Sequence, residues 1–176
     1  SDPSINDRAR SYRNLCFRDD VRFYHTELGY NFRMTNMQAA IGLAQVEQLE
    51  RFVDIKIRLG KYYRERLQSV AGVRFMPIKE WAKSVYWMYC IELDSSLQIS
   101  AVEMMERLKK HGIGTRPFFR GMHDQPVLQE MGLFKGEVYP NTDRAYEAGL
   151  YLPSGLTLTE EDIDYVVEAV QEEVAV

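Results

Sequence analysis

The segment that most restricts the fold begins at Thr35, where "TNMQ" gives Thr35 and Gln38 the spacing of a capping box. From there apolar residues recur at helical spacing to about Val70. Because this run is long for one globular helix, we expect a break or kink near residues 48–51. The pattern predicts that the helical span over 36–70 is the longest element of the chain.

The rest of the chain alternates strand and helix patterns. "SVYWMYCIEL" (84–93) is β-branched and aromatic, which predicts a strand buried on both faces. Further elements are predicted as a capped helix at 100–112, a strand at 113–119, helices at 125–132 and 141–149, an extended segment at 150–153 and a helix at 159–174. The order favours one α/β domain over 1–176, with two layers, a small, mostly antiparallel sheet and helices on one side.

Composition excludes several classes of protein. The 176 residues are 45% apolar and 27% charged, as in a folded globular protein. With a net charge of −4 and no Lys/Arg block, we expect no nucleic-acid partner. No apolar run approaches the roughly 20 residues that span a bilayer, so we expect no membrane partner. The spacing of Cys16 and Cys90 matches no metal motif, which favours reduced core thiols and no metal site.

The beginning of the chain carries two further expectations. "SDPSINDRARSYRN" lacks the basic-then-apolar pattern of a signal peptide, so we expect a cytoplasmic protein. Since the sequence starts with Ser1 and not with Met, a processed or excised piece of a longer chain is expected.

A long polar loop precedes the capped helix. Residues 14–34 have no lasting period, and loops of about twenty residues are usually functional. Asn31 and Arg33 stand just before the helix start, where free N–H groups favour phosphate. Asn can donate to phosphate oxygens and Arg can hold a diphosphate with two hydrogen bonds, so the pattern predicts an anion-binding loop. For His25 a structural hydrogen bond and a site contact remain open.

A second polar cluster lies in "TRPFFRGMHDQP". Arg116, Arg120 and His123 stand beside Phe118 and Phe119 there, with Asp124 nearby, which indicates a contact to an anionic, ring-bearing ligand. A solvated loop is the alternative. His111 is interpreted as a residue at the end of a helix. The chain contains no P-loop, G-x-G-x-x-G, G-x-S-x-G or H-E-x-x-H motif.

Three stretches resemble the DegT/DnrJ/EryC1/StrS sugar aminotransferases. They are "HTELGYNFRMTNMQAAIGLAQVEQL", "GIGTRPFFRGMHDQP" and "YPNTDRAYEAGLYLPSGLTLTEEDIDYVVEAV", and the likeness covers nearly the whole chain. The form of the second is most similar to the perosamine synthase branch, which transaminates GDP-4-keto-6-deoxymannose. The resemblance implies the C-terminal small domain of a fold type I enzyme that uses pyridoxal 5′-phosphate (PLP). The large domain with the Schiff-base lysine is missing, and no lysine here stands in the family's lysine motif.

The resemblance also implies roles for individual residues. The "GYNFRMT" segment would reach across a homodimer interface, where Asn31 would contact the phosphate of the partner's PLP. Arg33 would lie near the partner's nucleotide-sugar substrate or its diphosphate, with Tyr30 as a further substrate contact or a packing residue. Arg116 and His123 would line the sugar-nucleotide side of a site. No residue of this chain would be catalytic in itself, and glutamate would be the amino donor.

Three functions remain open at this point. The first is the C-terminal portion of a nucleotide-sugar aminotransferase of polysaccharide biosynthesis, inactive without its missing N-terminal PLP domain. The second is a nucleotide-sugar 3-dehydratase that uses the pyridoxamine form of the cofactor, since the lysine that separates the two reactions lies outside this sequence. The third is a non-catalytic module that dimerises or binds nucleotide.

Overall fold

The computed structural model describes residues 2–21 and 23–175. Contacts divide the chain into two compact units, Ser1–Leu49 and Glu50–Val176. That all 176 residues form one domain stays a prediction. No helix in the described ranges is long and apolar enough to cross a membrane.

The first unit holds two capped helices, α1 (Pro3–Arg13) and α2 (Asn36–Glu47). Asp2 accepts a hydrogen bond from the Ser4 N–H at 2.9 Å, and Pro3 occupies the first helical position, where no N–H is needed. At α2 both bonds of the capping box between Thr35 and Gln38 are formed. In the described residues neither helix has a buried side chain, so their faces are open.

The predicted helical run over 36–70 is broken where the sequence placed the break. α2 ends at Glu47, Gln48 is its C-cap, and the next helix, α3, runs over Leu49–Leu67. The longest single helix is therefore α3, with 19 residues, and not one element over the whole run.

The second unit is built on a four-stranded antiparallel sheet. Its strands are β1 (Val73–Phe75), β2 (Tyr89–Leu93), β3 (Arg116–Pro117) and β4 (Gly149–Leu152), in the order β1-β2-β4-β3. In the centre Ile91 stands opposite Leu150. The predicted class, α/β with a small antiparallel sheet and helices, is confirmed.

Three helices supply most of the core on one face of this sheet. They are α3, α4 (Ala101–Lys110) and α7 (Glu160–Val174); two shorter helices, α5 (Pro126–Glu130) and α6 (Pro140–Ala148), complete the unit. The core is mostly aliphatic with one aromatic pair, and its largest fully buried side chains are Tyr63, Leu67, Ile91, Met104, Leu108, Leu150, Ile163, Val167 and Val170. From α6, Arg144 reaches Glu92 at 3.1 Å; Glu92 alternates with the core-facing residues of β2.

The strands are shorter than the patterns predicted. β2 begins at Tyr89 and not at residue 84, because Tyr86 has a left-handed φ of 47° that cannot continue a strand. The Tyr86 ring lies against Gly60 of α3, where a β-carbon would meet the ring at 2.3 Å. β3 has only two residues, and the prediction missed the three-residue strand β1 altogether.

Candidate functional site

The long polar loop folds back on the end of α1. The Tyr30 N–H donates to the Tyr12 carbonyl at 2.7 Å, the Leu15 N–H to the Tyr30 carbonyl at 3.2 Å, and the Phe32 N–H to the Arg13 carbonyl at 3.1 Å. We call residues 24–33, which run back along this helix end, the return segment. Its backbone is therefore fixed although it belongs to no regular strand.

The turn that starts the loop depends on unusual backbone geometry. Leu15 and Cys16 have φ values of 64° and 50°, in the left-handed region. The Cys16 N–H donates to the Ser11 carbonyl at 2.9 Å, and the Cys16 side chain is buried. His25 Nδ1 lies 2.6 Å from the Leu15 carbonyl oxygen, so the ring forms the structural hydrogen bond that was one of its two interpretations.

The two predicted phosphate contacts, Asn31 and Arg33, are exposed on the return segment. Among the residues that the structure describes, the Asn31 amide has no hydrogen-bond partner, while its backbone bridges Asn14. Tyr30 stacks on Phe32 with ring centroids 5.1 Å apart and an 8° interplanar angle. A phosphate could therefore reach the Asn31 amide without breaking any contact of that side chain.

Arg33 shares an open cleft with two arginines that the sequence interpretation did not single out. This arginine cleft has a volume of about 480 Å³ and is lined by Asp7, Arg10, Ser11, Arg13, Asn14, Phe17, Asp19 and Arg33. Arg10 and Arg13 are three positions apart in the last turn of α1, a spacing that puts them on one helix face. That spacing is the sequence signal that could have revealed them.

In the second unit, Arg116 lines a different cleft. The volume is about 240 Å³, and the lining also includes Trp87, Met88, Gly114, Thr115, Tyr151, Leu152, Pro153 and Ser154. Trp87 is 70% exposed and can offer a ring face to a ligand. Tyr151 stacks on Phe118, and burial raises the pKa of its hydroxyl. Arg116 is exposed at the edge of the sheet, which leaves its guanidinium accessible to an anion.

His123 is not among the residues that line this cleft. Its Nε2 lies 2.8 Å from an Asp143 carboxylate oxygen of α6, and its ring centroid is 4.9 Å from that of Tyr139. Arg120 and Asp124 pair with each other at 2.5 Å. The charges of "TRPFFRGMHDQP" are thus distributed between an accessible arginine, an internal ion pair and a His–Asp contact. Asp143 was missed because its partner is twenty residues away.

The fold of the chain matches that of a solved aminotransferase over nearly its whole length. An aminotransferase structure from Streptoalloteichus hindustanus, TlmJ, matches 99% of this chain and 46% of its own, with a TM-score of 0.83 and 26% identity. DesI, whose structure was determined in the presence of its TDP-sugar product, matches 98% of this chain and 43% of its own, with a TM-score of 0.77 and 26% identity.

The sequence assigns the chain more narrowly. It belongs to the DegT/DnrJ/EryC1/StrS aminotransferase family, whose sequence profile matches residues 1–171. GDP-perosamine synthase from Escherichia coli O157:H7 is 31% identical over 98% of this chain and 45% of that protein. EpsN from Bacillus subtilis, a putative PLP-dependent aminotransferase, is 29% identical over 96% of this chain and 43% of that protein. The chain therefore spans less than half the length of these curated relatives.

Proposed function

We propose that this chain is the C-terminal portion of a PLP-dependent aminotransferase. The whole enzyme would transfer an amino group from glutamate to a nucleotide-linked 4-keto-6-deoxy sugar such as GDP-4-keto-6-deoxymannose, in the cytoplasm. The observation that carries this proposal is the family match over residues 1–171. Three GDP-perosamine synthases at 28–31% identity, which cover 95–98% of the chain, support the choice of sugar.

The side chains present fit the phosphate end of the cofactor. The Asn31 amide is exposed and has no partner in the described part of the chain, so it can donate to a phosphate oxygen. The N-terminus of α2 follows five residues later, and its first N–H groups favour an anion. When bound, the cofactor supplies the electron sink for amino transfer. The task of Asn31 would be to hold it in place.

The remaining predicted contacts would orient the sugar nucleotide. Arg33 would bind the diphosphate, and Arg116 would use its accessible guanidinium on the sugar-nucleotide side. The contact with Asp143 fixes the His123 ring, so His123 would present its remaining ring edge to the substrate or hold its loop against α6. Tyr30, stacked on Phe32, would supply an aromatic surface beside Asn31.

The lysines of the chain support the view that the catalytic lysine lies in another part of the protein. Six of the seven, Lys61, Lys79, Lys83, Lys109, Lys110 and Lys135, are exposed. Lys56 is half-buried and donates to the Ser154 carbonyl, and burial lowers its pKa. None of them stands in the lysine motif of the family, so we propose that this chain alone does not transaminate.

The surface of the first unit supports an association with a second subunit. The residues of α2 and of the segment before it leave large apolar side chains in solvent: Leu28 is 93% exposed, Met37 78% and Ile41 65%. Exposed apolar surface of this kind marks an interface. We propose that the face formed by residues 28–45 is buried against the partner in a homodimer, where it would also bring Asn31 to the partner's cofactor.

The direct test is amino transfer by the full-length protein. It would be incubated with PLP, glutamate and GDP-4-keto-6-deoxymannose, and the products followed by mass spectrometry. The proposal requires an amino sugar nucleotide and one 2-oxoglutarate per turnover. Loss of the sugar 3-hydroxyl without incorporation of nitrogen would instead identify the 3-dehydratase. Binding of nucleotide without either product would identify a non-catalytic module.

A second test concerns the 176-residue chain by itself. After addition of PLP, reduction with borohydride and digestion, we expect no specific pyridoxyl-lysine among its peptides. Lys56 is the site to inspect, because burial lowers its pKa, which favours the neutral, nucleophilic amine. The full-length protein treated in parallel is the positive control. A single lysine of this chain labelled to completion would overturn the assignment of the catalytic lysine to the missing part.

A further inference from the structure

We infer that the arginine cleft binds the nucleoside diphosphate part of the substrate, with Arg10 and Arg13 acting together with Arg33. The inference rests on the proposed function for the kind of substrate, and it adds two residues and a defined cleft to the single contact implied by Arg33.

The charges in the cleft are close together but are not paired. In the described part of the chain none of Arg10, Arg13 and Arg33 forms an ion pair, although two carboxylates line the same cleft. Arg10 Nε donates to the Asn6 amide oxygen at 3.2 Å, and Arg33 to the Asn14 amide oxygen at 3.4 Å. Both bonds are to neutral groups, so they leave most of the five guanidinium donors of each side chain available.

Arg18, in the same unit but outside the cleft, behaves differently. It binds the Asp20 carboxylate with two hydrogen bonds, at 2.8 and 2.6 Å. Arginines of this unit can therefore form ion pairs. Three cations without such a pair in one cleft form an anion-binding surface, because guanidinium groups bind phosphate through two parallel N–H···O bonds.

The two carboxylates in the cleft make it better suited to a nucleotide than to inorganic phosphate. Asp7 and Asp19 have no ion-pair partner in the described ranges, and both are exposed. A carboxylate repels a bound phosphate, but it can accept hydrogen bonds from neutral donors, such as ribose hydroxyls or the N–H groups of a base. A nucleoside diphosphate offers oxyanions and neutral donors in one molecule, whereas inorganic phosphate offers only the first.

An aromatic wall and the cleft volume agree with this ligand. Phe17 lines the cleft and is held by an edge contact with Phe23, at 5.9 Å between ring centroids, and by His25 at 4.6 Å. A ring fixed in this way can stack on a nucleobase, as aromatic side chains do in nucleic-acid recognition. The volume of about 480 Å³ lies within the usual range of small-molecule sites.

The test is a titration of the full-length protein with GDP, UDP, dTDP and inorganic pyrophosphate by calorimetry. The variants are Arg10→Gln and Arg13→Gln, and Arg18→Gln is the matched control, because it removes the same charge from the same unit outside the cleft. We expect either cleft variant to weaken binding of the preferred nucleotide by roughly ten- to hundred-fold. Arg18→Gln should change the affinity less than about threefold. Pyrophosphate should compete with the nucleotide and lose affinity in the same two variants.

Conservative variants protect the test from a folding artefact. Arg10→Lys and Arg13→Lys keep the charge but lose the two-pronged geometry, so binding should fall between wild type and the Gln variants. Unchanged nucleotide affinity in both Gln variants, with wild-type thermal unfolding, would overturn the cleft assignment. If amino transfer proceeds in that case, the proposed function stands without it. If nucleotide binding depends on the arginines but no amino transfer occurs, the cleft stands and the proposed reaction is wrong.

Discussion

Gly29 lies so close to the Leu15–Cys16 peptide that a β-carbon at position 29 would come within 2.4 Å of the Leu15 carbonyl carbon and 2.5 Å of the Cys16 nitrogen. Both neighbours are backbone atoms, which cannot move aside as a flexible side chain can. The return segment that carries Asn31 and Arg33 therefore crosses the left-handed turn at the one position where a side chain has no room. The absence of a side chain at position 29 is a condition for the geometry of the candidate site.

Replacement of Gly29 by Ala should loosen this loop. The added methyl group must displace backbone, at a cost of about 1–3 kcal/mol. We expect the amides of Leu15 and Tyr30, which are hydrogen-bonded across the crossing, to exchange with solvent roughly tenfold faster or more. Hydrogen exchange followed by mass spectrometry over residues 12–32 would measure the change.

Gly42 supplies the control. It lies inside α2, and a β-carbon there would meet nothing within 4 Å. In the 176-residue chain by itself, where the proposed partner is absent, Gly42→Ala should leave the loop unchanged and stabilise the helix by about 0.5–1 kcal/mol, since Ala has the higher helix propensity. Equal exchange rates in the Gly29→Ala variant and the wild type would show that the loop tolerates a side chain at the crossing.

Substitution of Asn31 should affect cofactor binding, whereas substitution of Arg33 should affect substrate binding. In the full-length enzyme, Asn31→Ala should weaken retention of PLP more than it slows the chemical step, since a phosphate oxygen does not change charge in the reaction. The loss of a hydrogen bond to a charged group costs about 1.5–3 kcal/mol, roughly ten- to hundred-fold in affinity. Arg33→Ala should raise KM for the nucleotide sugar and leave PLP affinity nearly intact. Equilibrium dialysis and steady-state kinetics give both quantities.

A mixed dimer would show whether Asn31 acts on the partner's site. One chain carries Asn31→Ala and the other lacks the catalytic lysine. The site with the wild-type lysine then lies in the Asn31→Ala chain and receives Asn31 from the lysine-free chain, so it should keep near-normal PLP affinity. If this site shows the defect of the Asn31→Ala homodimer, Asn31 serves its own subunit.

Protonation of the Asp94 carboxylate at low pH should make the second unit less stable. The Ser96 N–H, which donates to it at 2.9 Å, and the Arg74 guanidinium lower the pKa of Asp94 from 3.8 to about 2. Because the pKa is lower in the folded state, the contribution to stability is present above pH 3.8 and is lost as the pH falls towards 2. The difference in unfolding free energy between wild type and Asp94→Asn should therefore shrink over this interval.

Asp54→Asn is the matched control for this pH dependence. Asp54 is exposed on α3, and within the described ranges its carboxylate has no ion pair or hydrogen bond. Urea titrations would compare wild type, Asp94→Asn and Asp54→Asn at about pH 2.5, 3.5, 5 and 7, values that span the interval in which carboxylates titrate. A constant difference between wild type and Asp94→Asn at all four values would contradict the assigned pKa.

The Tyr63 hydroxyl should be dispensable. Tyr63 is 1% exposed, its ring stacks on Tyr89 at 4.5 Å, and among the described residues its hydroxyl has no hydrogen-bond partner. A buried polar group without a partner is destabilising, so Tyr63→Phe should be neutral or raise the unfolding free energy by about 1 kcal/mol. Tyr62→Phe should lower it, because the Tyr62 hydroxyl donates to Asp164 at 3.1 Å. Chemical denaturation measures both, and a marked loss of stability in Tyr63→Phe would show that the hydroxyl is paired.

The helix boundaries were determined by the sequence itself. The capping box at Thr35 forms as its spacing predicts, and the break at Gln48 falls in the predicted interval. These features are local, since a cap joins atoms two or three residues apart. The class of the fold follows in the same way from periodic apolar residues. The prediction that β2 is buried on both faces was wrong, because only Tyr89, Ile91 and Leu93 are buried and the residues between them are partly exposed.

The strand limits and the geometry of the site were decided only by tertiary contacts. β2 starts late because the ring of Tyr86 packs on Gly60, and β1 is too short to give a periodic signal. The residue types of the candidate site were visible in the sequence, but their contacts were not. His123 meets Asp143 across twenty residues, and Arg33 shares a cleft with Arg10. Contacts between distant residues depend on how the chain folds back on itself, which local propensity does not determine.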